Sequence, residues 1–279
     1  MASILLVGAG WVGAPLARHL ASNAHNVVMT KTTQQGADLA STSQLPCKVF
    51  SFSEQVDSVT PLYSLLLDNN IEVVIGSFPP GFRKGAGREY SEYWLQLVTA
   101  CQKANIKKVI MVSSTTVYPA KSGVLYEDDA SLAQVKNQKS LFSESAETML
   151  SAEQHLISSN IDYTILRFSG LIGPNRHPSR FASKLKQVSS QAPANMLHLD
   201  DAISAVDFAI TNIHNEIVNV TTPNTVSKAE FYAAALKSAS SKEPLPTIVD
   251  TPDKLVSSKK IIELGFTFKF NSTLDALDD

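Results

Sequence analysis

The chain has 279 residues, with 24 lysines and arginines against 26 aspartates and glutamates, a formal net charge of -2, 44% hydrophobic and 18% charged residues. That balance is ordinary for a globular protein and lacks the basic excess that tracks phosphate backbones, which argues against nucleic acid as the main partner. No apolar run approaches the roughly 20 residues that span a bilayer, and the chain enters its first strand without a charged leader region, so a cytoplasmic protein with no membrane partner is expected.

Residues 4–7 read as an apolar strand, followed by Gly8, Gly10 and Gly13 in GxGxxG spacing and a helix from residue 14. In this strand–turn–helix context the spacing marks a dinucleotide loop: Gly8 permits the tight turn, Gly10 lets a pyrophosphate approach, and Gly13 allows the helix to pack on the strand. Trp11 and Val12 complete the loop, whose unpaired N–H groups would face the phosphates. Residues 26–30 read as a second strand, at whose end an acid would accept from an adenosine ribose 2′-hydroxyl. The window instead holds Lys31 and Thr32, and the first acid is Asp38. A lysine with hydroxyl donors suits a 2′-phosphate, so NADP(H) is expected ahead of NAD(H); the alternative is a solvated surface lysine.

Further strands are expected at residues 47–50, 71–75, 108–112, 163–168 and 216–220, and helices at 61–67, after residue 90, and at 139–158. Alternation of this kind predicts a doubly wound parallel α/β sheet of Rossmann type, whose ligands sit at the C-terminal strand ends. Three such edges carry candidates. Ser77 opens a loop with Arg83, Lys84 and Arg88, which reads either as an anion contact or as exposed surface. Ser113, Ser114, Thr115 and Thr116 form a hydroxyl-rich turn ending in Val117 and Tyr118. Beyond Gly173, Arg176, His177 and Arg180 suit capture of phosphate or carboxylate oxygens, with a solvated basic loop as the alternative. Tyr90, Trp94, Leu97, Val98 and Cys101 share one helix face, a core pattern. Cys47 and Cys101 lie in apolar contexts without CxxC spacing and the six histidines show no ligand spacing, so buried free thiols and no metal are expected. Asp200 and Asp201 read as a helix start, and Ser227 with Glu230 as a capping box.

The glycine loop, the strand ending SSxxVY, the segment Leu166 to Pro174 and the His198–Leu199–Asp200–Asp201 stretch together resemble the extended short-chain dehydrogenase/reductases, the NAD-dependent epimerase/dehydratase family. Residues 10–17, 31–34 and 173–181 are similar to a YeeZ-like bacterial subgroup within it. The resemblance implies a nucleotide domain of residues 1–169 plus 198–222, a small substrate-binding cap of residues 170–197 plus 223–279, a sugar- or nucleotide-derived anionic substrate, and pairing of two copies through long helices. Ser114 matches the family serine that hydrogen-bonds the reacting oxygen. The family's tyrosine-x-x-x-lysine pair has no match: counting back from Glu147 puts Lys139 and Ser143 at those positions, and Tyr118 and Tyr126 lie outside that helix. Two functions follow from the resemblance, an atypical NAD(P)-dependent oxidoreductase or epimerase-like enzyme, and a catalytically silent NADP(H)-binding sensor.

Overall fold

The computed structural model describes residues 1–42, 44–53, 57–82 and 87–277. Its centre is a seven-stranded, wholly parallel sheet built from β1 (Ser3–Val7), β2 (Asn26–Lys31), β3 (Cys47–Val49), β4 (Val73–Gly76), β5 (Lys108–Ser114), β7 (Asp162–Phe168) and β11 (Glu216–Val220). The strand order is β11-β7-β5-β4-β1-β2-β3. The order reverses beside β1, with β2 on one flank and β4 on the other, and this is the crevice where open α/β sheets take ligands.

Side-chain alternation along β1 sorts the two cores. Ile4 and Leu6 face a layer containing α1 (Gly13–Ser22) and α8 (Leu199–Asn212), where Leu16, Leu20, Ala202 and Val206 are buried. Leu5 and Val7 face the opposite layer, with Leu62 and Leu66 from α3 (Val59–Asp68), Trp94 and Leu97 from α4 (Tyr90–Lys103), and Met149 and Leu156 from α6 (Glu144–Ile157). A strand buried on both faces must be apolar throughout, as β1 is. Pro61 sits in the first turn of α3, where a missing N–H is no loss. The expected helix at 139–158 begins later: residues Lys139–Leu141 form a separate 3-10 turn, and the Ser143 side chain caps α6 by accepting from the Ala146 N–H.

Smaller elements complete the fold. They comprise α2 (Gln34–Ala40), β6 (Gly123–Leu125), α5 (Leu132–Asn137), β8 (Gly170–Ile172), α7 (Ser179–Ala182), β9 (Gln187–Ser189), β10 (Met196–His198), α9 (Lys228–Ser238), β12 (Thr247–Val249), β13 (Lys254–Val256) and α10 (Lys259–Glu263). Three parallel two-stranded ladders, β8/β10, β9/β12 and β6/β13, tie distant segments together. Ile172, Ala194, Phe231, Ala235, Phe270 and Leu277 form a third, separate apolar cluster here. The C-terminal segment divides: Phe270 joins that cluster, whereas Ile261, Phe266 and Phe268 pack into the α1/α8 layer. The buried Asp201 carboxylate fixes this crossing by accepting from the N–H groups of Lys269 at 2.6 Å and Phe270 at 3.3 Å. As expected, Asp200 and Asp201 lie in the first turn of α8, whose cap is His198, its Nδ1 accepting from the Asp200 N–H. Cys101 is buried, but Cys47, on the edge strand β3, is only half-buried.

Candidate functional site

Backbone geometry creates the first part of the site. Gly8 holds φ +101°, and its N–H donates to Thr30 Oγ1 at 3.1 Å while the Ala9 N–H donates to the Thr30 carbonyl at 3.0 Å. A β-carbon at Gly8 would lie 2.9 Å from the Ser77 carbonyl oxygen, so the loop is pressed against the end of β4. At Gly10 a β-carbon would meet nothing within 4 Å. The N–H groups of Trp11 and Val12 find no acceptor among the described residues, and α1 opens without a side-chain cap and without an acid in its first turn. Open space, free donors and a helix N-terminus fit a pyrophosphate.

Two cavities flank this cradle and share Gly10, Ser77, Phe78 and Pro79 in their walls. The smaller, about 200 Å³, is lined by Thr30, Lys31, Thr32, Phe50, Ser51 and Phe52. No carboxylate stands among these lining residues, and Asp38 accepts from Gln34 Nε2 at 2.7 Å on the first turn of α2. Its aromatic side is preassembled: Phe52 meets Phe50 edge-on at 4.9 Å, Phe78 at 5.0 Å, and stacks on Tyr93 at 5.2 Å. An apolar slot next to a lysine suits an adenosine carrying a phosphate.

The larger cavity, about 500 Å³, has the end of β5 as its floor, with Val112 to Thr116, the phosphate loop on one side, Phe78, Tyr90 and Met149 on the other, and Phe168 to Leu171 with Arg176 above. Ser114 Oγ accepts from the Thr116 N–H at 3.1 Å and lies 2.9 Å from Thr116 Oγ1, which fixes its position at the cavity floor. The Ser113 hydroxyl is committed elsewhere, donating to Glu153 Oε1 at 2.6 Å. Tyr90 and Arg176 are the titratable side chains among the described lining residues. Burial pushes the Tyr90 phenol well above its ordinary range, so it is neutral at physiological pH.

Beneath the floor lies a network without a local motif in the sequence. Arg167 and Glu153 form a bidentate pair at 3.1 and 2.7 Å, both buried. Arg167 also donates to the carbonyls of Glu127 at 2.8 Å and Ala130 at 3.0 Å and to Tyr118 Oη at 3.2 Å, using all five of its N–H donors. Tyr118 Oη in turn donates to Asn219 Oδ1 at 2.6 Å. Tyr118 is therefore a buried structural residue and does not line the cavity, and burial pushes its phenol up to about 12 despite the neighbouring guanidinium. Tyr126 is exposed and stands outside the cavity wall.

The three basic candidates after β8 separate. Arg176 lines the larger cavity with its guanidinium 5.0 Å over the Trp11 ring. His177 points away: Nδ1 lies 2.8 Å from Ser179 Oγ and accepts from the Ser179 N–H at the start of α7, and Nε2 lies 3.4 Å from Ser238 Oγ on α9. Exposed Arg180 donates to the Asn175 carbonyl at 2.8 Å. Lys139 is exposed and sits 3.8 Å from Glu147, so α6 faces the cavity through Met149. Arg83 and Lys84 lie outside the described residues; Arg88 is exposed. Among the described residues no group of three or more His, Cys, Asp and Glu is placed to hold a metal, and no helix is long and apolar enough to cross a membrane.

A family model described as NAD(P)H-binding matches residues 8–195. The chain is 27% identical to Protein YeeZ of Escherichia coli strain K12 over 279 residues, an alignment covering 98% of each chain. Among solved structures it is similar to the Bordetella bronchiseptica enzyme WbmH in complex with NAD+, with TM-score 0.78 and 16% identity over 100% of this chain and 96% of that one. It is likewise similar to the UDP-glucuronic acid 4-epimerase of Bacillus cereus in complex with NAD, with TM-score 0.75 and 21% identity over 99% and 96% of the two chains. At those identities the likeness is one of fold.

Proposed function

We propose, from the premise that this chain belongs to the NAD(P)H-binding family, that it is an NADP(H)-dependent, epimerase/dehydratase-like oxidoreductase acting on an anionic sugar- or nucleotide-derived small molecule. The observation that carries the reading is the pair of adjoining cavities that share the open cradle at Gly10, the smaller with Lys31 in its wall and the larger with Ser114 and Arg176. Trp11 and Val12 offer the dinucleotide phosphates their backbone N–H groups, Gly10 leaves room for them, and Gly8 and Gly13 shape the loop. Lys31 and Thr32 take the 2′-phosphate, while Ser77, in both cavity walls, and Ser113, in that of the larger, border the cofactor. The bound nicotinamide supplies hydride exchange. Ser114 orients the reacting oxygen, and Arg176 pairs with the substrate anion, assisted from the same loop by His177 and Arg180, which hold its neighbouring turn and α7 in place. The cap of residues 170–197 plus 223–279 closes over the nucleotide domain of 1–169 plus 198–222, and two copies pair through α4 and α6.

A second reading, a catalytically silent NADP(H) sensor in the cytoplasm, draws support from α6: it presents Met149 to the cavity, and no lysine, histidine or carboxylate is among the described lining residues. Titration with NADPH and NADH, followed by a panel of nucleotide sugars including UDP-glucuronic acid, separates the two. Cofactor oxidation or reduction that Ser114→Ala abolishes supports the enzyme; intact binding without turnover across the panel supports the sensor.

A further inference from the structure

Trp11 stands where the phosphate loop meets the turn of residues 173–176. Its Nε1–H donates to the Pro174 carbonyl at 3.1 Å, and its ring carries the Arg176 guanidinium 5.0 Å from the centroid. Its own backbone N–H belongs to the cradle, one residue after the open position at Gly10. A single residue thus has its main chain on the phosphate side and its side chain on the arginine side. The rest of the turn is held independently: Arg180 grips the Asn175 carbonyl at 2.8 Å, and Gly173 packs so tightly that a β-carbon there would lie 3.1 Å from Leu199 Cβ. Asn175, at φ +61°, completes a tight bend that presents Pro174 and Arg176 to the indole.

We propose that Trp11 is a positioning residue that couples the ligands of the two cavities, so that dinucleotide on the phosphate loop fixes the indole, the indole fixes Pro174 and Arg176, and an anionic ligand then binds an arginine already in place. This rests on the reading of the cavities given above. Phosphate contacts to the Trp11 N–H restrain its backbone and hence its ring, and the ordering of Arg176 is then spent on the first ligand rather than the second. Linkage makes the effect reciprocal: a diphosphate at Arg176 must tighten the dinucleotide by the same factor. An indole serves because it offers both a flat face for the guanidinium and an N–H for the carbonyl.

Hydrogen exchange read by mass spectrometry on a peptide spanning residues 173–181 provides the test, with and without saturating NADPH. Exchange is expected to slow severalfold in the wild-type protein, to be indifferent to NADPH in Trp11→Leu, and to respond partially in Trp11→Phe, which keeps a ring for Arg176 and loses the donor to Pro174. In parallel, UDP serves as the probe anion. Its affinity should rise about tenfold with NADPH in the wild type and stay level in Trp11→Leu, in line with common coupling strengths. An unresponsive peptide in the wild type, or equal slowing in Trp11→Leu at saturation, overturns the coupling while leaving dinucleotide binding intact. NADPH that saturates no site instead overturns the reading of the cavities and the coupling with it. UDP that binds neither form removes the anion role of Arg176 and hence the second half of the proposal.

Discussion

A β-carbon at Gly13 would stand 2.2 Å from the carbonyl oxygen of Gly8, whereas one at Gly10 would meet no heavy atom within 4 Å. The same loop therefore needs its glycines for opposite reasons, one for internal packing and one for a partner outside the chain. Gly13→Ala forces the helix away from the strand and should destabilise the fold by about 1–3 kcal/mol, the usual range for overpacking. Gly10→Ala should leave the thermal midpoint close to that of the wild type and weaken NADPH binding by at least tenfold, because the methyl group enters the cradle. Thermal melts paired with cofactor titrations check both, and equal loss of stability in the two variants contradicts the assignment.

Lys31 occupies the end of β2 within the smaller cavity, with no carboxylate among that cavity's lining residues. A charge-assisted bond to a 2′-phosphate is worth about 1.5–3 kcal/mol, or roughly 10–100-fold in affinity. Lys31→Ala should therefore weaken NADPH by about that factor and leave NADH little changed, and Lys31→Asp should invert the preference. Dissociation constants for both cofactors with the three proteins decide it. Tighter NADH than NADPH binding by the wild type refutes the proposed specificity.

The strand and helix alternation was legible because each element writes its burial into local periodicity, as in the division of Ile4 and Leu6 from Leu5 and Val7. The phosphate loop was legible for the same reason, its determinants lying within six residues. What escaped depends on long-range placement. The ladders β8/β10 and β9/β12 use three-residue strands, too short for a period to show. Arg176, His177 and Arg180 are near neighbours in the chain, yet the bend at Asn175 and the start of α7 send the last two away from the cavity. Tyr90 and Met149, which line the larger cavity, read in the sequence as ordinary core residues, whereas Phe78 fell in the ligand-side loop that Ser77 opens. The position of Phe78 immediately after the ligand-side end of β4 was the one available signal.

Glu153 is a case of the same kind, since its partners Ser113 and Arg167 come from two different strands. Both charges of the pair are buried, so removing one leaves the other without compensation, at about 3–5 kcal/mol. Glu153→Ala should lower the unfolding free energy by that amount, while Glu153→Leu combined with Arg167→Met should cost clearly less than the single change. Urea denaturation of the three proteins supplies the comparison. A shift under about 1 kcal/mol for Glu153→Ala would mean that the pair does not hold the cavity floor.

Tyr118 yields a prediction in pH. Burial raises its phenol from an ordinary value of 10.0 to about 12, against the opposing pull of Arg167, so the folded state holds the proton more tightly than the unfolded state does. The resulting stability is fully present below pH 10 and is lost as the pH rises through about 12, because only the unfolded chain gains by releasing the proton in that window. In Tyr118→Phe the hydroxyl bonded to Asn219 and Arg167 is gone, and the protein should be about 1–3 kcal/mol less stable below pH 10, the cost of leaving buried partners unmet. That deficit should shrink steadily as the pH is raised from 10 toward 12. NADPH binding by Tyr118→Phe at neutral pH should persist, since the hydroxyl does not line the cavity. Denaturant titrations of both proteins across the alkaline range measure the effect; a deficit independent of pH, or growing with it, contradicts the buried, proton-holding role assigned to this tyrosine.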